Sequence, residues 1–199
     1  MKFRIEVMAA AVSVLLAGSM PSQAMDMHSR YGGPTYTGAP ALAVTASFVK
    51  AGGGPARFST ARALTTMLGS RTTGAEVKKL TAQYGKKRVA SWLKVGDFAV
   101  ADALKIATAD GVKLPRPTLS GKKLAVAMVQ AGSDTDGTFY VEFMLDKALS
   151  HAIHDKVMDD IDAKFGAEAD ADYHRITNQA FVDAAHALAA ANVKLAAFH

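Results

Sequence analysis

An all-α fold, a single domain of six or seven helices in bundle-like or orthogonal packing, is what this sequence predicts, and three observations carry it. Beyond residue 41, apolar residues recur three and four positions apart, the spacing that lines one face of a helix. No segment alternates apolar and polar residues with period two over more than a few positions, so evidence for strands is weak throughout. Glycines punctuate the periodic segments where a helix would end.

The chain opens on an address. Lys2 and Arg4, the apolar run Val7 to Ala17 and the triplet Ser22-Gln23-Ala24 have the basic, apolar and small-x-small layout of a secretory signal peptide, with cleavage expected before Met25. That run falls well short of the roughly 20 residues needed to span a bilayer. The expected mature protein is soluble and exported, periplasmic or extracellular. Residues 25–40 read as a flexible leader because Gly32-Gly33-Pro34 and Gly38-Ala39-Pro40 oppose regular structure, and 41–199 form the helical domain.

Within that domain a short helix is expected over Ala41 to Ala51, closed by Gly52-Gly53-Gly54-Pro55, a permissive hinge. The next helix has Ser59 as N-cap, carries Leu64 and Met67 and stops at Gly69. Gly74 to Tyr84 follows, with Val77, Leu80 and Tyr84 on one side and Gly85 at its end. Lys86 to Asp110 is longer; Gly96 inside it costs about 1 kcal/mol against Ala and implies a kink or a close helix crossing. After Pro115-Arg116-Pro117, Ser120 caps Leu124 to Ala131. Thr138 to Phe165 reads as the longest helix, with Leu145, Leu149, Ile153, Val157, Ile161 and Phe165 recurring every fourth residue. A last helix, capped by Asp170 or Asp172, runs to about Ala191.

Bulk properties narrow the function. The chain has no cysteine, which removes disulfides, thiolate metal sites and thiol catalysis together. The net charge of +5 hides an asymmetry: residues 25–140 carry 16 basic against 7 acidic side chains, and residues 141–172 carry 3 against 9. Lys78-Lys79, Lys86-Lys87-Arg88 and Lys122-Lys123 are candidates for an anionic membrane surface, or simply for solvated helix faces. They lack the interleaved aromatics of single-strand nucleic-acid binders, and no nucleic acid is expected as partner.

Four of the six histidines lie between residues 151 and 186. His151 and His154, three apart on a helix, share a side with Asp155, a metal-competent set because neutral imidazole suits Zn, Cu, Ni or Fe. The alternative is that these histidines are half covered by neighbouring helices and bonded to Asp or backbone. The Glu of a zinc-peptidase motif is missing, as are paired Glu-x-x-His motifs. Tyr173, His174 and Asn178 form a second set, a ligand site or the capped start of the last helix, with His174 facing the same interior as Phe181 and close to Asp159, Asp160 and Asp162. His174 ahead of an apolar helix holding Phe181 and Leu188 is similar in outline to a globin, and that likeness implies haem as an alternative cofactor to a transition metal.

No nucleophile elbow, phosphate loop or dinucleotide fingerprint is present, so no catalytic residue is assigned. The functional expectation is a non-enzymatic, exported helical protein that binds a small molecule or an envelope protein. Met67, Met128, Met144 and Met158, in expected helices, are suited to adaptable contacts. The alternative is a haem or transition-metal protein built on His151, His154 and His174.

Overall fold

In a computed structural model, which describes residues 39–131 and 151–190, seven α-helices account for nearly all of the described chain. They are α1 (Ala39–Ala51), α2 (Thr60–Leu68), α3 (Ser70–Tyr84), α4 (Lys86–Ala109), α5 (Gly121–Ala131), α6 (His151–Phe165) and α7 (Ala167–Ala190), with a 3-10 turn at Pro55–Arg57. No strand occurs among the described residues, and the helical class expected from periodicity is the one observed. The signal peptide, the leader up to residue 38, residues 138–150 of the expected long helix and everything past Ala190 lie outside the described residues.

Helix α4 divides the core. Val100 and Leu104 join Val44, Phe48 and Val49 of α1, Ala63 and Met67 of α2, and Leu124 to Met128 of α5 in one apolar cluster. Val89, Trp92, Val95, Ala99, Ala103 and Ala107 join Leu80 of α3, the expected stripe Ile153, Val157 and Ile161 of α6, and Tyr173 and Ile176 of α7 in the other. Each large side chain buried in this way contributes about 1.5–3 kcal/mol.

Element boundaries depart from expectation where glycine or tertiary contacts intervene. Pro40 lies in the first turn of α1, where its missing N–H removes no helical bond, so the helix starts inside the expected leader. Gly69 alone separates α2 from α3, which therefore begins at Ser70 instead of Gly74. Gly52 to Gly54 is a packed turn and not a loose hinge. Gly54 N–H donates to Val49 O at 2.8 Å and Ser59 N–H to Gly52 O at 3.0 Å, and a Cβ on Gly52 would lie 2.3 Å from the Phe58 ring. Phe58 in turn packs on Phe48 at 5.2 Å between centroids. At the end of α4, Gly111 has φ +80°. Its N–H bonds Thr108 O and that of Val112 bonds Ala107 O, the paired bonds of a Schellman stop.

Polar side chains pin the elements together. Ser47 Oγ, buried on α1, accepts from the backbone N–H groups of Thr118 and Leu119 at 3.2 and 3.1 Å, tying down the connector after α4. Ser59 holds the N-cap position of α2 without a side-chain capping bond. The cap is tertiary: Asp97 Oδ1 from α4 accepts the Thr60 N–H at 2.5 Å, placing a carboxylate at the positive end of α2.

Because α7 begins at Ala167, Asp170 and Asp172 lie inside it and do not serve as N-caps. Asp172 instead receives the Arg88 guanidinium of α4 in a two-pronged bond, Nε to Oδ2 at 2.6 Å and Nη2 to Oδ1. That bond holds its carboxyl below the usual range. Further along, Asp183 of α7 takes Lys79 Nζ of α3 at 2.6 Å and Gln179 Nε2 at 3.0 Å. Glu76 sits against the same carboxyl and is pushed up to about 7, by burial first and then by its bond with Asp183 and that group's charge.

Two consequences are measurable. Replacing Asp97 with Ala removes the cap on α2 and should cost about 1–2 kcal/mol in urea denaturation. Glu76, raised from 4.5 to about 7 on folding, holds its proton more tightly in the folded state. Its contribution is complete below the unfolded value and disappears as pH rises through about 7, so stability should fall between mildly acid and mildly alkaline pH. Urea melts should find that fall reduced by about 1–2 kcal/mol in Glu76→Gln, a figure discounted for partial solvation.

Candidate functional site

The helices line an apolar, half-open cavity of about 90 Å³. Helix α4 presents Trp92, Gly96 and Val100 to it, one residue per turn, and α7 presents Tyr173, Thr177, Ala180, Phe181 and Ala184. Thr60, Leu64, Met67 and Leu68 of α2, Phe48 of α1, and Ala125 and Met128 of α5 complete the wall. The space exists because small residues, Ala125, Ala180 and Ala184, stand where larger ones would fill it.

Polar side chains interrupt the hydrocarbon. Trp92 Nε1 donates to Thr177 Oγ1 at 2.9 Å, satisfying the indole and fixing its ring against the cavity. Thr60 Oγ1 is buried and has no hydrogen-bond partner among the described residues. It lies where α2 crosses α4 so closely that a Cβ on Gly96 would come within 2.7 Å of it. Of the two outcomes expected at Gly96, a close crossing is therefore present.

The second place with chemistry is the corner between α6 and α7, where Gly166 turns the chain and the two helices pack together. His174 Nε2 lies 3.1 Å from Asp170 Oδ1, one turn earlier on α7. His154 Nδ1 of α6 lies 3.3 Å from Asp155 Oδ1. Burial is the largest influence on His174 and lowers it; Asp170 opposes that, the nearby His154 adds to it, and Asp162 opposes it. Burial likewise raises Asp170, against the pull of His174. The corner holds a half-buried imidazole beside a carboxyl, an arrangement that can store or pass a proton.

The expected site residues separate in space. Tyr173 is buried and lines the cavity, as does Phe181. His174, next in sequence, sits toward α6 and is not among the cavity residues, so it does not share the interior of Phe181. Asn178 is half-buried on α7. Of the three carboxylates expected near His174, Asp162 acts on it, whereas Asp160 pairs with Lys156 at 3.2 Å and with Asp102. His151 begins α6, but its side chain is outside the described ones; His154 and Asp155 remain of the expected metal set. Among the described residues no three His, Asp or Glu side chains come together to hold a metal ion, and no helix is long and apolar enough to cross a membrane.

The basic clusters are partly committed to the fold. Lys78, Lys86, Lys87, Lys122 and Lys123 are exposed, while Lys79 and Arg88 bind Asp183 and Asp172. Sequence reading missed the cavity itself, since its wall draws on five helices. The one available signal was a run of small residues at helical spacing, Ala180 and Ala184, opposite Gly96.

Gly96→Ala should destabilise the protein by about 1–3 kcal/mol despite alanine's better helix propensity, because the stiff, branched Thr60 has to move. Adding Thr60→Ala should recover most of the loss, which thermal melts of the single and double variants would check.

Compared with known proteins, the chain matches no family model, no curated protein and no solved structure.

Proposed function

We propose that this is an exported, non-enzymatic helical binding protein whose cavity between α1, α2, α4, α5 and α7 takes a small, mainly hydrocarbon molecule bearing one polar group. Export rests on the basic, apolar and small-residue layout of residues 1–24. The observation that carries the binding reading is the pairing of an apolar wall with one unused hydroxyl, Thr60 Oγ1. A hydrocarbon ligand gains from leaving water, and a single hydrogen bond to Thr60 orients it. Hydrocarbon cavities of roughly 150 Å³ accept benzene, so a half-open space of about 90 Å³ takes the hydroxyl end of a short aliphatic alcohol, with the rest of its chain in the mouth. Met67 and Met128 in the wall can turn to admit something slightly larger.

Trp92, the sole tryptophan, lies in the cavity wall and reports on its contents. Butanol should change Trp92 fluorescence saturably. In Ala125→Leu, where the added side chain occupies the space, the response should disappear while melting stays within about 1–2 kcal/mol of the parent. A response that is linear in butanol, or identical in Ala125→Leu, would count against the cavity as a binding site.

A further inference from the structure

Between Ala39 and Gly96 the chain carries ten basic side chains and a single acidic one, Glu76, which is half-buried against Asp183. Every exposed charge on α1, α2, α3 and the first half of α4 is therefore positive. Helix geometry sorts these charges into stripes. Arg71, Ala75, Lys78 and Ala82 share the solvent side of α3, and Lys87, Ala90, Lys94, Ala101 and Lys105 share that of α4. The two helices pack together and join at Gly85, next to Lys86, so the stripes meet at one corner.

Lys78, Lys87 and Lys94 make no ion pair among the described residues. The residues between the cations are alanines, so a flat anionic surface can reach the ammonium groups without meeting a bulky side chain. Exposed acids gather chiefly elsewhere, at Asp155, Asp159 and Asp162 of α6 and Glu168 of α7. Helix α6 rests mainly on α4 and α7, whereas α3 rests on α2, α4 and α7. A negative surface thus attracts one part of the molecule and repels another, which orients the protein on approach.

We propose that the corner of α3 and α4 docks on an anionic phospholipid surface, with Arg71, Lys78, Lys86, Lys87 and Lys94 turned to the headgroups. Such docking needs charge alone, and each basic side chain near the surface is worth about fivefold in affinity. A protein partner fits less well, because protein interfaces centre on buried aromatic or aliphatic anchors, and these stripes present only Arg, Lys and Ala. Single-stranded nucleic acid needs stacking platforms, and neither stripe holds an aromatic residue. A second copy offering its acidic α6 would recruit further copies head to tail without closing.

Co-sedimentation of the protein with vesicles of equal parts phosphatidylglycerol and phosphatidylcholine tests the surface, with phosphatidylcholine vesicles as the match without net charge. Binding to the anionic vesicles alone is expected, falling steeply as salt rises. It should be weaker by about a hundredfold in the triple variant Lys78→Gln, Lys87→Gln, Lys94→Gln. Lys156→Gln with Lys164→Gln takes two exposed cations from the acidic α6 and should leave binding within about twofold of the parent. Equal binding to both kinds of vesicle, insensitivity to salt, an unchanged triple variant, or the same loss in both variants overturns the proposal. Capture by heparin or by an acidic protein, with none by the vesicles, overturns it too. Should the triple variant lose its helical circular dichroism, Lys78→Gln alone should bind about fivefold more weakly, and unchanged binding there overturns the proposal.

Discussion

Helix α4 is apolar on more of its circumference than one neighbour can cover, and the rest of the structure answers that constraint. Val100 and Leu104 lean one way, Val89, Trp92, Val95, Ala99 and Ala103 another, and six helices gather around them. Lys86, Lys87, Lys94 and Lys105 keep to the exposed strip of this helix, and its other charges act inside the fold: Arg88 clamps α7, Asp97 caps α2, and Asp102 stands at the boundary with α6.

The charge asymmetry along the chain takes on a structural meaning here. The acidic C-terminal helices pack directly on the basic N-terminal ones, and opposite signs meet at Arg88–Asp172 and Lys79–Asp183. Separation in sequence becomes contact in space, which consumes part of the dipole that a linear reading suggests. Where carboxyls meet carboxyls, at Glu76 and Asp183 or at Asp102 and Asp160, burial raises one member of the pair and stability becomes tied to pH. Arg88 and Asp172 act in the opposite sense, since protonating Asp172 breaks their bond as pH falls. The hold on the last helix thus rests on groups with opposing pH responses.

The apolar cavity and the close crossing of α2 and α4 are two results of one choice of residues. Gly96 lets Thr60 approach the α4 backbone, and the small side chains of α7 and α5 leave the space beyond it unfilled. Trp92 could fill such a space, yet its bond to Thr177 holds the ring in the wall.

By itself the amino-acid order determined the helical class, most helix positions and the stripe Ile153, Val157 and Ile161, because 3.6-residue periodicity and glycine stops are local properties of the chain. It also singled out Gly96 and Tyr173 as positions of interest. Only the tertiary structure decided that Asp97 caps a helix 37 residues away, that Asp172 serves as a clamp and not as a cap, and that Tyr173 and His174 look into different surroundings. The cavity was illegible for the same reason: it is a space between helices, set by crossing distances and by which small residues meet, and neither quantity is encoded in the spacing along any one helix.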